Sequence, residues 1–305
     1  MKDLSIQQQI ERKKRSKTLE KAVPIVLFSI TIVSVLTTIG ILYTLISETF
    51  HFLREVSIVE FLTSKTWNAF SSTPTFGIFP LVLGTLKIVV IATLFAVPTG
   101  VFSAIYLSEY APKSVRKVLK PTLEVLAGIP TVVYGAFAIT VVTPMLQSIF
   151  SSMGHFNAIS PGLVVGIMIL PMITSLTDDA ITSVPDAVRE GSYGLGATQL
   201  ETVFKVVLPA ALSGILASIV LATSRAIGET MIVSIAAGST PNSSFNLFES
   251  LQTMTGFIVQ VTSGDATFGS QVYYSLYAVG ITLFIFTLIM NVLAMWIAKR
   301  FREEY

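Results

Sequence analysis

The chain has no cysteine, only two histidines and few charges: Asp, Glu, Lys and Arg make up 12% of its 305 residues. Without cysteine it forms no disulfide, offers no thiolate nucleophile and holds no Cys-based zinc site. His51 and His155 stand too far apart in sequence to read as a histidine metal cluster. A soluble domain carries about 25% charged residues, so the shortage of charge excludes that class. Disorder is excluded by the opposite excess, 52% hydrophobic residues. No Gly-Lys-Ser or Gly-Lys-Thr phosphate-cradling loop occurs, so any ATP hydrolysis that drives this protein belongs to another chain. Internal repeats at a solenoid period and low-complexity tracts are missing as well. The one dense basic cluster, Arg12–Arg15, reads as a contact for anionic membrane lipid rather than a nucleic-acid site.

What the chain does have is long runs without charge. A charge at the bilayer centre costs about 2.5–3.5 kcal/mol on insertion scales, so these runs locate membrane spans. Ala22 to Ser47 is the first, longer than a signal-peptide core of about 7–15 residues and without a small-residue cleavage site, hence a signal anchor. Leu81 to Tyr106 is the second, with Lys87 near its outer end, where the stem snorkels to the headgroups. Val125 to Thr177 divides at the turn residues Ser151–His155 and Ser160–Pro161 into a third span ending near Ile149 and a fourth starting near Gly162. Val206 to Gly238 holds a fifth, interrupted by Arg225 and Glu229, and a sixth begins near Tyr273. Six spans with both termini inside leave every loop and tail cation on the inner face except Arg54 and Lys65, a strong positive-inside asymmetry. The chain then divides into a basic cytoplasmic tail (1–23), a first transmembrane helix (24–47), an extracytoplasmic loop (48–80) with a turn at Ser71–Pro74, a core of five spans (81–298) and a short cytoplasmic tail (299–305).

The longest inner loop, about 178–208, has internal order. Ser183-Val184-Pro185-Asp186 offers a helix start, and a glycine-rich corner at Gly194 and Gly196 a stop. This describes a short helix lying across the inner face, joined by a bend to a segment that enters the membrane at Pro209. Within it, Glu190-Gly191-Ser192, three residues, Gly196, nine residues, Val206, one residue and Leu208-Pro209 resemble the EAA loop of ABC importer permeases, with Gly191 and Ser192 in place of Ala-Ala. The resemblance implies a coupling helix seated in a cleft of a separate ATPase.

Arg225 and Glu229 stand four residues apart, so one continuous helix would place them on one face. A charged pair at membrane depth is a functional hypothesis by default, and Arg suits oxyanions because its planar fork stays protonated. Mutual neutralisation is the plainer alternative. The run Arg225-Ala226-Ile227-Gly228-Glu229 resembles the oxyanion branch of these permeases, and Thr230-Met231 resembles its phosphate members. Ala127–Gly135 and Pro80–Leu86 agree, and the likeness is nearer to the PstC-type than to the PstA-type subunit. It implies an all-α membrane protein of the type I importer (MetI-like) fold in a bacterial or archaeal inner membrane, with Arg225 and Glu229 on the substrate path. The implied partners are a PstA-type second permease, two PstB-type ATP-binding subunits that carry the ATP–Mg and a PstS-type phosphate-binding protein, with no cofactor in this chain. Sulfate, molybdate or tungstate are the sister substrates. An ion-coupled secondary transporter would call for inverted repeats and no ATPase-docking loop.

Three further charges read as structural. Asp178-Asp179 is taken as a solvated helix end rather than a metal site, and Glu124 as a charge partner for the nearby run Arg116 to Lys120.

Overall fold

The computed structural model describes the backbone of residues 6–300 and the side chains of residues 22–296. The side chains of the basic run Arg12–Arg15 and of the terminal residues 297–305 lie outside that description. Among the described residues, six helical stretches are long and apolar enough to cross a membrane: Ala22–Glu55, Phe79–Tyr110, Thr131–Ile149, Ile159–Thr182, Gln199–Ile227 and Gln271–Trp296.

The first stretch belongs to α1 (Ile6–Glu55), which runs back through the segment read as a basic tail. Its side chains from Val23 to Ile46 are almost all exposed, and it packs mainly along α13 (Gln271–Arg300). After α2 (Ile58–Thr63), strands β1 (Trp67–Asn68) and β2 (Thr75–Phe76) pair antiparallel, with Trp67 opposite Phe76, around the Ser71–Pro74 turn. Phe52, Phe61, Trp67, Phe76 and Phe257 meet edge to face in a buried cluster, each pair worth about 0.5–1.5 kcal/mol beyond its burial. This knot is the hairpin end of the molecule.

The core is α3 (Phe79–Ile105) packed along α7 (Ile159–Thr182), with α10 (Leu208–Ile227) against both. Small residues allow the approach. At Gly166 a side chain would run into Ala92 and Phe95 of α3, the close contact that drives helix association in lipid, where burial of apolar surface gives no advantage.

The third span differs from expectation. α4 (Lys113–Ala127) is a separate helix with no buried residue; Gly128 ends it, and the span starts only at α5 (Thr131–Phe137). Pro130 is the reason: it lacks an N–H and drives Ile129 away from helical geometry. Uncharged residues 125–129 therefore continue the surface helix. The span widens into a π-helical turn at Ala138–Val142 before α6 (Thr143–Ile149), and a similar turn at Val203–Val207 follows α9 (Gln199–Thr202). In both places a proline, Pro144 or Pro209, comes two residues later; with no N–H to give and a ring that displaces the carbonyl four residues back, it forces the helix to widen. The fifth span thus starts at Gln199, earlier than the uncharged run suggests. Helix α8 (Asp186–Gly194) lies at the end opposite the hairpin, against α9 and the Val203–Val207 turn.

Candidate functional site

Arg225 sits exposed in the last turn of α10, and Glu229 is buried, 8% exposed. The shared helical face does not form. The helix stops at Ile227, with the Gly228 N–H turning back to the Ser224 carbonyl at 3.3 Å and the Glu229 N–H to the Ala226 carbonyl at 3.2 Å. A short helix, α11 (Met231–Ala236), restarts beyond the break. Glu229 Oε1 accepts the N–H groups of Met231 (3.0 Å) and Ile232 (3.2 Å), which have no partner within α11, and its own carbonyl accepts Thr255 Oγ1 at 2.7 Å. Glu229 thus holds the break together instead of pairing with Arg225. The Arg225 guanidinium makes no hydrogen bond or ion pair with any described residue.

The break is walled by the segments that carried the resemblance. α5 packs on α11. From α3, Thr85 Oγ1 accepts the Met254 N–H at 3.1 Å, at the start of α12 (Met254–Gln260), and Gly84 lies so close to the Gln252 carbonyl that any side chain there would overlap it. Non-helical backbone at membrane depth requires such internal partners.

Lys87 does not snorkel. It is 7% exposed, and its ammonium donates to the carbonyls of Ser244 and Asn246 (the latter at 3.3 Å), in the loop between α11 and α12. That loop also carries Glu249, which accepts from Asn242 Nδ2 at 2.7 Å and Asn246 Nδ2 at 2.8 Å, bonds that hold its carboxyl below its ordinary pKa. A lysine that finds acceptors inside the protein need not reach the headgroups, and nothing near Lys87 in sequence signals them.

At the α8 end, Asp178 is 1% exposed and is not a solvated helix end. Arg116 Nη2 donates to both of its oxygens at 2.9 Å and Lys120 Nζ to Oδ2 at 2.9 Å, while exposed Asp179 takes a second bond from Lys120 at 2.9 Å. These carboxylates, and not Glu124, partner the basic run of α4.

Glu190 and Gly191 are exposed on α8, and Ser192 Oγ lies 2.8 Å from Thr202 Oγ1, pinning α8 to α9. Gly196 makes the corner with φ +87°, left-handed backbone that residues other than glycine adopt only with strain. Thr198 and Glu201 then close a capping box that starts the fifth span, which passes through the π-helical turn into half-buried Leu208 and Pro209. Around this corner Tyr193, Leu195, Leu200 and Phe204 are exposed, Leu195 at 92%, an apolar surface at a polar end of the molecule.

A model of the family described as "binding-protein-dependent transport system inner membrane component" matches residues 96–303, which include α8, the corner and the α10 break. The chain belongs to that family. It is a multi-pass permease of the bacterial or archaeal inner membrane. The permease is 37% identical over 248 residues to a probable ABC transporter permease protein, YqgH, of Bacillus subtilis, covering 80% of this chain and 79% of the relative. It is 34% identical over 259 residues to the phosphate transport system permease protein PstC of Mesorhizobium japonicum, covering 79% and 78%. A solved bacterial ABC transporter that imports alginate superposes on the permease with TM-score 0.66 at 17% identity, over 94% of this chain and 99% of that one, a likeness of fold.

The sequence alone pointed to Arg225, Glu229, the α8 segment and Pro209, but not to the Asp178 network, the Lys87 contacts or the Thr85 and Thr255 hydroxyls. In sequence the nearby acid for Arg116 and Lys120 is Glu124, four residues after Lys120, and nothing local singles out Asp178, 58 and 62 residues away, in its place.

Proposed function

We propose that this permease is the transmembrane subunit of an ATP-driven phosphate importer, with its termini cytoplasmic. The observation that carries the reading is Arg225: a guanidinium with no partner among the described residues, at the break between α10 and α11, in a chain whose relatives include phosphate permeases. An exposed fork of N–H donors is suited to a tetrahedral oxyanion, and a single exposed contact binds weakly enough to release it. Glu229 shapes this part of the path by holding the break open and in register. Glu190, Gly191 and Ser192 on α8, the Gly196 corner and Leu208-Pro209 form the coupling element, and the exposed Tyr193, Leu195, Leu200 and Phe204 are what a docked ATPase covers. A PstA-type permease completes the pathway, two PstB-type subunits bind and hydrolyse ATP–Mg, and a PstS-type protein delivers phosphate at the hairpin end. No catalysis and no cofactor are assigned to this chain.

The test is ATP-dependent uptake of labelled phosphate into vesicles holding the chain and these partners, with unlabelled sulfate and molybdate in excess. Phosphate uptake indifferent to both competitors is expected. Suppression by either moves the permease to a sister oxyanion, and uptake that persists without ATP overturns the assignment.

A further inference from the structure

An ion pair joins the coupling element to a part of the bundle that the reading above leaves unconnected. Glu109 lies in the π-helical turn Tyr106–Tyr110 that ends the second span, and Arg189 lies on α8 beside Glu190. Both are shielded, with side chains 7% and 14% exposed. Arg189 Nη2 and Nε donate to Glu109 Oε1 at 3.0 and 3.3 Å. The same guanidinium donates to the carbonyls of Ile181 (2.9 Å), at the end of α7, and of Val184 just beyond it, and to Asp186 Oδ1 at 3.3 Å. One side chain thus binds three elements: α8, the end of the fourth span and the end of the second. Gln199 Nε2, where the fifth span starts, donates to the Glu109 carbonyl at 2.8 Å. Among the described residues no other hydrogen bond or ion pair joins α8 to the second span.

The chemistry suits a joint more than a spot weld of stability. The carbonyls that end a helix favour a cation, and a planar fork can serve them and a carboxylate together, in a fixed plane that an ammonium does not impose. Apolar packing beneath, from Ile105, Ile181, Val184, Val203 and Val207, holds the elements in contact without fixing their direction. A shielded, charge-assisted bond does fix direction, because its geometry is specific and salt screens it little.

We propose that Glu109–Arg189 is the rigid joint through which displacement of α8 reaches the second span, making both residues positioning residues for ATP-coupled transport. This rests on the coupling role proposed for α8. The test reads phosphate moved per ATP hydrolysed in vesicles containing the complete importer, for wild type, Arg189→Met, Glu109→Gln and Arg189→Lys. The joint predicts that the first two variants still assemble and hydrolyse ATP while the ratio falls at least tenfold, and that the lysine variant, which keeps charge and stem but not the fork, falls between. A purely structural role lowers both rates together and leaves the ratio at its wild-type value, and that result overturns the proposal. Should the methionine variant fail to assemble, the lysine variant decides by the same ratio. If the wild type carries sulfate or molybdate instead, the ratio is read with that ion, so the substrate reading and the joint fail separately.

Discussion

At the scale of single residues, the permease separates two kinds of buried or membrane-depth charge. Arg225 has no hydrogen-bond or ion-pair partner among the described residues, and the role proposed for it on the substrate path is open to direct test. Removing a guanidinium that makes charge-assisted bonds of about 1.5–3 kcal/mol should cut uptake by at least tenfold. Arg225→Ala is therefore expected to lose transport while still co-purifying with its ATPase, and Arg225→Lys to retain part of it; normal uptake by a well-expressed Arg225→Ala protein excludes a role on the path. Asp178 is the opposite case, a buried acid already satisfied by Arg116 and Lys120. Asp178→Ala leaves Arg116 without its carboxylate and Lys120 with exposed Asp179 alone. Breaking a buried pair costs about 3–5 kcal/mol, and with both cations about a third exposed the loss should sit near the low end, seen as a lower unfolding temperature in detergent. The same network sets a pH dependence. Hydrogen bonds to Asp179 and then Asp178 raise the Lys120 pKa above its ordinary 10.5. A raised pKa means that the contribution is whole below 10.5 and is lost as pH climbs through the higher folded value. Stability of the wild type should therefore hold from neutral pH to about that point and fall beyond it, and Lys120→Met should flatten the alkaline fall.

At the scale of elements, the corner between α8 and α9 shows what sequence periodicity can and cannot deliver. The helix start before Asp186 and the stop at the glycines are written locally, in a proline and a left-handed glycine, so they are legible in the chain itself, whereas the fifth span starts at the Thr198–Glu201 capping box, ahead of the entry expected at Pro209. Gly196 makes this testable. A side chain there would meet no other atom, so Gly196→Ala introduces backbone strain without a clash, about 1–2 kcal/mol for the left-handed conformation. That should change the angle of α8 and weaken co-purification of the ATPase while the spans stay folded, read by comparing ATPase recovery with helical content. By contrast, the end of α10 at Ile227 was not legible. The run from Val206 to Gly238 stays uncharged apart from Arg225 and Glu229, and lone Gly228 is tolerated in many membrane helices. What ends the helix is tertiary: Thr255 reaches the Glu229 carbonyl from a segment 26 residues away, and Thr85 fixes that segment from the second span. The surroundings of Lys87 and Asp178 are not legible for the same reason, since their partners come from elements far along the chain.

At the scale of the whole molecule, the two ends differ in chemistry, and that difference should set how the permease sits in the membrane. The hairpin end is an aromatic knot whose long loop from Glu48 to Pro80 carries Arg54 and Lys65 as its cations, whereas the α8 end gathers Lys113, Arg116, Lys117, Lys120, Arg189 and Lys205. Flanking cations resist transfer across the bilayer and acids contribute little to that bias. The acids that neutralise Arg116 and Lys120 in the folded chain therefore do not weaken the signal, which acts during insertion, before Asp178 has met its partners. Even counts of spans keep the α4 and α8 loops on one side and the hairpin on the other. The absence of cysteine makes this directly measurable, because a single introduced thiol is the chain's only one. Ser72→Cys in the hairpin turn and Ser114→Cys on α4 are both at exposed positions. In intact cells a membrane-impermeant maleimide should label the first and reach the second only after permeabilisation. The reverse pattern would place α8 outside the cell, away from any ATP, and would remove the coupling role of Glu190 to Pro209 together with the joint at Arg189.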